Sequence, residues 1–188
     1  LIHDDLEDED PERRHRPTVW RLWGVPQAVN AGSNMQALVN EATLRLTDCG
    51  VPAERTLAVI GMLSRAMLAM TEGQALDLAW QDRWDLRVED YLRMAAGKTS
   101  ALTEAAAWCG AATVTTDSTI LDHFARFGRA FGMAFQARDD YLGIWGHSEQ
   151  TGKPVGADIQ RGKRSLPIVH ALEQTARGGE TAAAGCEL

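Results

Sequence analysis

Two groups of aspartates in this chain carry the chemistry. The first is Asp4-Asp5-Leu6-Glu7-Asp8, with Arg13-Arg14 close behind; the second is Asp139-Asp140-Tyr141-Leu142-Gly143, followed by Gly152-Lys153-Pro154 and Lys163-Arg164. Carboxylates hold hard divalent cations, and those cations hold phosphate oxygens. Arginine and lysine hold phosphates directly. The repeated arrangement predicts a polyphosphorylated small molecule gripped between two facing elements. On a helix, Asp4 and Asp8 share one face, where they repel each other unless a cation sits between them. That spacing suits magnesium, which keeps most of its waters and takes one or two carboxylates from any one element. A solvated acidic helix end is the other reading of the same residues.

Asp139 lies in a different setting. It follows Phe127, Phe131 and Phe135, expected to form a buried apolar stripe, and Gln136 stands one turn before it. A charge at the end of such a stripe needs a partner. Arginines such as Arg126, Arg129 or Arg138 would serve, and so would a metal; the phosphate-type loop that follows favours the metal. In that loop, Gly152 and Gly156 allow close backbone approach and Lys153 offers a point charge. Lys98 is flanked by Ala95, Ala96, Gly97, Thr99, Ser100 and Ala101. A lysine among small residues can reach across a cavity, although a lone helical lysine is more often solvated. Gln74 and Asp77, one turn apart, either line that cavity or pair with each other between helices. Trp20 and Trp23 are expected to form an apolar floor behind the arginines. The histidines show neither metal-ligand nor triad spacing, and no nucleophile elbow or Walker loop occurs.

These residues need a scaffold, and the chain of 188 residues is long enough for one domain with a real core. Its formal net charge of −7 argues against a nucleic-acid partner. Acids crowd residues 4–12 and bases crowd 153–164, as expected of a metal-binding lip and a phosphate-binding lip. Cys49, Cys109 and Cys186 share no metal-type spacing and read as reduced thiols of a cytoplasmic protein. No apolar run reaches the roughly 18 residues of a membrane span, and no cleavable leader is seen. Both ends read as cut: Leu1-Ile2-His3 opens as if in mid-helix, and 176–188 is Gly/Ala-rich and expected to be a flexible tail beyond a partial helical domain over 1–175.

Helical period dominates and strand signals are nearly absent, apart from a short alternation at 111–116. Pro26 suits the first turn of a helix carrying Val29, Met35, Leu38, Val39 and Leu44 towards Leu46. Gly50-Val51-Pro52 is a break, after which a long helix runs through Gln74 and Asp77. A polar turn at 82–85 precedes one helix expected to continue from Val88 towards Cys109. Asp117-Ser118 starts a fourth long helix carrying the phenylalanines and Asp139. Residues 146–162 read as a loop, and Ser165-Leu166-Pro167 opens a last helix. The fold class is all-α, with helices long enough to pack as a bundle.

Taken together these motifs resemble the trans-isoprenyl diphosphate synthases, the polyprenyl synthetase family. Asp4-Asp5-x-x-Asp8, Arg13-Arg14 and Arg16-Pro17-Thr18 have the spacing of the family's first aspartate-rich region. Gly73-Gln74-x-x-Asp77, Gly97-Lys98-Thr99, Phe135-Gln136-x-x-Asp139-Asp140, Gly152-Lys153-Pro154-x-Gly156-x-Asp158 and Lys163-x-Ser165-Leu166-Pro167 follow in the family's order. The resemblance covers residues 1 to about 172.

The resemblance implies an isoprenoid synthase-like helical bundle, here without its N-terminal part. It implies head-to-tail condensation of an allylic diphosphate with isopentenyl diphosphate, with three magnesium ions holding the leaving diphosphate. Asp4, Asp8 and Asp139 would ligate metal, supported by Asp5 and Asp140. Arg13, Lys98 and Lys153 would hold the allylic diphosphate, with Thr99, Gln136 and Lys163 nearby, and Arg14 would contact isopentenyl diphosphate. It also implies a homodimer whose apolar product passes to a membrane or a downstream enzyme. Three departures stand out: Gly143 replaces a third aspartate, His15 replaces a glycine, and the isopentenyl-binding and length-setting positions upstream of Asp4 are not in the chain. A class I terpene cyclase and an inactive regulatory subunit are the competing expectations; the Arg13-Arg14 pair and the Gly-Lys-Pro loop speak for the elongating enzyme.

Overall fold

The computed structural model describes residues 1–147 and 155–178. The chain divides into two compact units, Leu1–Ile60 and Gly61–Leu188. The expected tail lies mostly outside the described residues, which end within a helix at Gly178.

The first unit holds α1 (Ile2–Glu7), a ribbon of β1 (Glu12–Arg13) and β2 (Arg16–Pro17), α2 (Val19–Trp23) and α3 (Val25–Leu44). The ribbon is antiparallel, with Arg13 opposite Arg16. Arg14 and His15 form its two-residue turn, at φ +53° and +61°. Two left-handed residues in succession match the twist of a tight hairpin, a position usually filled by Asn-Gly or Asp-Gly. Arg-His carries no such signal, so the ribbon is unannounced in the sequence. Asp10 closes the loop before the ribbon: its carbonyl accepts from Thr18 Oγ1 at 2.9 Å and Trp20 Nε1 at 2.8 Å. Trp20 is thus a hydrogen-bonding pin, and Trp23 is 64% exposed, so the two do not form the expected floor. Pro26 sits in the first turn of α3 as expected. The apolar period of α3 predicts a helix but not burial, for Met35 and Leu38 stay about half exposed.

The long helix α4 (Ala53–Ala79) starts after the Gly-Val-Pro break. In the second unit it is followed by α5 (Val88–Ala95), α6 (Ala101–Ala112), α7 (Ser118–Trp145), α8 (Ala157–Gln160) and α9 (Leu166–Gly178). Asp117 caps α7, accepting from the Thr119 amide at 2.8 Å and the Ile120 amide at 3.3 Å. The strand-like alternation at 111–116 belongs to the end of α6 and a turn.

The helix expected from Val88 to Cys109 is not continuous. Ala96–Ser100 winds as a π segment between α5 and α6. Such bulges occur at functional sites, and this one carries Lys98. Close backbone contact fixes it: a Cβ on Gly73 of α4 would come within 2.8 Å of the Lys98 Cα.

The core of this unit is Trp80, Leu86, Tyr91, Met94, Ala95 and Val169, with Leu76, Val88, Met133 and Leu166 packed against it. α9 is tied in at two points. Leu166 N–H donates to Asp140 Oδ2 at 2.7 Å, and Glu173 Oε2 accepts from the Val88 amide at 3.0 Å. Each carboxylate satisfies an orphan amide at a helix start.

The phenylalanine ladder of α7 differs from expectation. Phe127, Phe131 and Phe135 stack on one another, with centroids 6.2 and 6.4 Å apart, yet all are more than half exposed. Asp139 is exposed too, so burial does not set its environment. Among the described residues, no helix is long and apolar enough to cross a membrane.

Candidate active site

In the first unit, α1 presents Asp4, Asp5 and Asp8 within two turns. Asp5 is buried, and its carboxylate accepts from Arg13 Nε. Arg13 Nη2 donates to Asp4 Oδ2 at 2.9 Å. Burial works against the Arg13 charge, but the Asp5 hydrogen bond and the charges of Asp5, Asp4 and Asp10 outweigh it and hold the guanidinium above its ordinary value. Arg13 therefore clamps its own acidic motif, whereas Arg14 stands exposed at the ribbon turn. Asp8 terminates α1, its amide donating to the Asp4 carbonyl at 2.9 Å.

In the second unit, α4, α5, the π segment, α7 and the segment around α8 and the start of α9 enclose a cavity of about 230 Å³. That is below the roughly 300–1,000 Å³ of drug-sized ligand sites and on the scale of an ion with a small anion. Lys98 enters from the π segment and is fixed by Asp77 of α4, Nζ to Oδ2 at 2.5 Å. Asp139, Asp140, Asp158, Lys163 and Arg164 are the other charged residues of the lining. A hydrogen-bonded chain braces the wall: Thr99 Oγ1 donates to Gln136 Oε1 at 2.6 Å, and Gln136 Nε2 donates to Asp140 Oδ1 at 2.8 Å. With Leu166 N–H on its other oxygen, Asp140 is bonded on both. Burial nonetheless pushes its carboxyl up and the neighbouring Asp139 charge adds to this, while the nearby Tyr91 hydroxyl, the Leu166 amide and Gln136 oppose it.

Most of the expected second-region residues, Lys98, Gln136, Asp139, Asp140 and Lys163, thus line one cavity, and Thr99 braces its wall. Lys153 lies outside the described residues. Of the arginines that might have neutralised the second aspartates, Arg129 pairs with Glu104 at 2.7 Å and Arg126 approaches Asp122 at 3.9 Å. Arg164, expected among the phosphate-binding bases, is 8% exposed and spends donors on the carbonyls of Arg83 at 2.6 Å and Gly162 at 3.0 Å. Its guanidinium lies 4.1 Å from the centre of the Trp84 ring. It is a structural pin.

Sequence reasoning missed Tyr91 and Ser165 as site residues. Both are buried, both line the cavity, and neither hydroxyl has a hydrogen-bond partner among the described residues. The Tyr91 hydroxyl sits beside Asp140 without hydrogen-bond geometry; burial first, then the Asp140 charge, pushes its phenol up. A tyrosine at an apolar position of α5 was the available signal, because a buried phenol needs a partner. Among the described residues, no three His, Cys, Asp or Glu side chains gather as a ready-made metal cage. The donor set still fits magnesium: hard oxygens from separate elements, orphan hydroxyls, and lysines to take the anion that shares the ion.

A mostly helical chain with aspartates and lysines around a small polar cavity has the donor set for an anion held together with a divalent ion. The family model for polyprenyl synthetase matches residues 1–183, and the chain is a member of that family. It is 41% identical to a (2E,6E)-farnesyl diphosphate synthase of Mycobacterium tuberculosis over 98% of this chain and 50% of the relative. The crystal structure of a geranylgeranyl pyrophosphate synthetase from Pyrococcus horikoshii superposes with a TM-score of 0.85 at 38% identity, over 92% of this chain and 52% of that one. A geranylgeranyl pyrophosphate synthase from Corynebacterium glutamicum, complexed with isoprenyl diphosphate and magnesium, gives a TM-score of 0.82 at 31% identity, over 98% and 56%. The chain spans about half the length of the relatives it matches.

Proposed function

We propose that this protein elongates prenyl chains, condensing an allylic diphosphate head-to-tail with isopentenyl diphosphate. The observation that carries the reading is the cavity of the second unit, where Asp139, Lys98 and Lys163 surround a space sized for an ion with a diphosphate. Membership of a family whose relatives bear the names of prenyl diphosphate synthases supports it. The Corynebacterium relative holds isoprenyl diphosphate and magnesium, the ligands this lining suits.

Magnesium, when bound, neutralises the leaving diphosphate so that the allylic carbon–oxygen bond can ionise. Asp139 in the second unit, and Asp4 and Asp8 in the first, are the groups assigned to it. Asp77 holds the Lys98 ammonium in one place, so the charge is positioned before the diphosphate arrives. The Thr99–Gln136–Asp140 chain keeps the wall of α7 in register with α9. Asp5 and Asp140 belong to the same metal-binding set and support these ligands. Arg13, Lys153 and Lys163 join Lys98 in holding the allylic diphosphate, and Arg14 takes isopentenyl diphosphate. Three magnesium ions, a homodimer, a cytoplasmic location and an apolar product handed to a membrane or another enzyme belong to the same reading.

The test is incubation of the intact protein with labelled isopentenyl diphosphate and each allylic starter. Elongated diphosphate is the expected product. Hydrocarbon would mean a cyclase, and no turnover with any starter would end the transferase reading.

A further inference from the structure

Arg14 and His15 make the turn of the ribbon, and both hold a left-handed backbone, at φ +53° and +61°. That region is disfavoured for a residue with a side chain. Glycine, the residue that His15 replaces, would adopt it without strain. The turn is also exposed, and Arg14, His15 and Arg16 all face solvent. Among the described residues, their side chains make no hydrogen bond, ion pair or ring contact. Arg13 differs, being held by Asp4 and Asp5. Arg16 stands directly opposite Arg13 across the ribbon, and like charges so placed destabilise a strand pair. The tip therefore loses stability twice, through strain and through repulsion, while presenting a row of unengaged basic side chains. Residues kept in such a conformation cluster at binding sites.

We propose that His15 is a diphosphate-binding residue, its imidazole donating to the same isopentenyl diphosphate that Arg14 takes. The inference rests on the transferase reading and on the place of Arg14 in it. A two-residue turn has little slack, because the pairing of Arg13 with Arg16 fixes both of its ends. Positions 14 and 15 are thus presented together as neighbours at the tip. Arginine offers a planar fork of donors, and imidazole keeps an N–H donor whether charged or neutral. The two side chains together suit separate oxygens of one diphosphate. Glycine at position 15 would make the same turn and leave that donor out. The strain at His15 is then the counterpart of a contact made only when substrate is bound.

The experiment is steady-state kinetics of the intact protein, paired with calorimetric titration of isopentenyl diphosphate while the allylic partner is withheld. His15→Gly raises both KM and Kd for isopentenyl diphosphate by about three- to tenfold, the scale of one exposed hydrogen bond to a charged group. The loss falls on KM rather than kcat, because the contact is the same in the ground state and the transition state. The same variant melts higher than the wild type, so affinity and stability move in opposite directions, which a purely structural residue would not produce. His15→Ala keeps the strained backbone and loses the donor. It weakens isopentenyl diphosphate as much as His15→Gly does, without the gain in melting temperature. KM for the allylic diphosphate does not move in either variant. Wild-type affinity in His15→Gly overturns the inference. So does wild-type affinity in His15→Ala beside a weakened His15→Gly, which would assign the effect to the shape of the turn. Equal losses for both diphosphates overturn the assignment to isopentenyl diphosphate. In each of these cases a wild type that elongates leaves the transferase reading intact, whereas a wild type that turns over no allylic starter overturns both.

Discussion

The two aspartate regions solve the same local problem in different ways. In each, the second aspartate is the buried one, Asp5 at 5% and Asp140 at 6% exposure. Asp5 is held by a side chain, the Arg13 guanidinium, which also takes Asp4. Asp140 is held by a backbone amide at the start of α9 and by the Gln136 amide. The first aspartates, Asp4 and Asp139, are more open. In both pairs the second, buried acid anchors the helix that carries it, and the first is left more open. The third positions diverge, Asp8 ending α1 and Gly143 lying beside the Asp158 carboxylate with no side chain of its own.

That division of labour can be broken, and the largest effect should fall on an outer residue. Asp139→Ala in the intact protein lowers turnover at least about a hundredfold, the scale of one lost transition-state stabiliser, while leaving the melting temperature nearly unchanged. Turnover near normal would remove Asp139 from the mechanism.

Asp140→Ala acts on the fold instead. It strands the Leu166 and Gln136 donors, a loss of about 2–4 kcal/mol in a denaturant titration. Because burial raises the Asp140 carboxyl, the folded state holds its proton more tightly than the unfolded chain does. The stability this contributes is complete below the ordinary carboxylate value and fades as pH rises through the raised one. The gap between wild type and Asp140→Ala therefore narrows from pH 4 upward; a gap that widened would show that the hydrogen bonds outweigh burial.

Asp5→Ala is the milder counterpart. A broken buried ion pair costs about 3–5 kcal/mol, but the Arg13 side chain is 34% exposed and can re-solvate. A loss of about 1–2 kcal/mol is expected from the same titration. A loss as large as that of Asp140→Ala would mean the first region is anchored as rigidly as the second. The smallest effect concerns the ribbon turn. His15 holds φ +61°, where a side chain is disfavoured. His15→Gly should shift the denaturant midpoint upward by the equivalent of about 0.5–1 kcal/mol, net of the extra freedom glycine has when unfolded.

The helical nature of the chain and most helix boundaries were legible because local signals state them. Asp117 is a capping residue, Pro26 suits a first turn, and Gly50-Val51-Pro52 breaks a helix. The site residues of the second unit were legible as types, since lysine and aspartate beside glycine imply an anion and its ion. The π segment was not, because it depends on Gly73 meeting the Lys98 backbone across two helices. Burial was not legible either: the α3 stripe and the α7 phenylalanines have the period of a core face and remain exposed.

By itself, then, the amino-acid order determined which segments are helical, which acids and bases stand in each motif, and the family they spell out. Only tertiary structure decided which acid of each pair is buried and which stays open, that Arg13 pairs with Asp4 and Asp5 and Arg164 with two backbone carbonyls, and that the Asp158 carboxylate lies beside Gly143. The reason is range. Helix propensity and capping act within a few residues, whereas hydrogen-bond partners and steric room are set by atoms that meet only after the chain has packed.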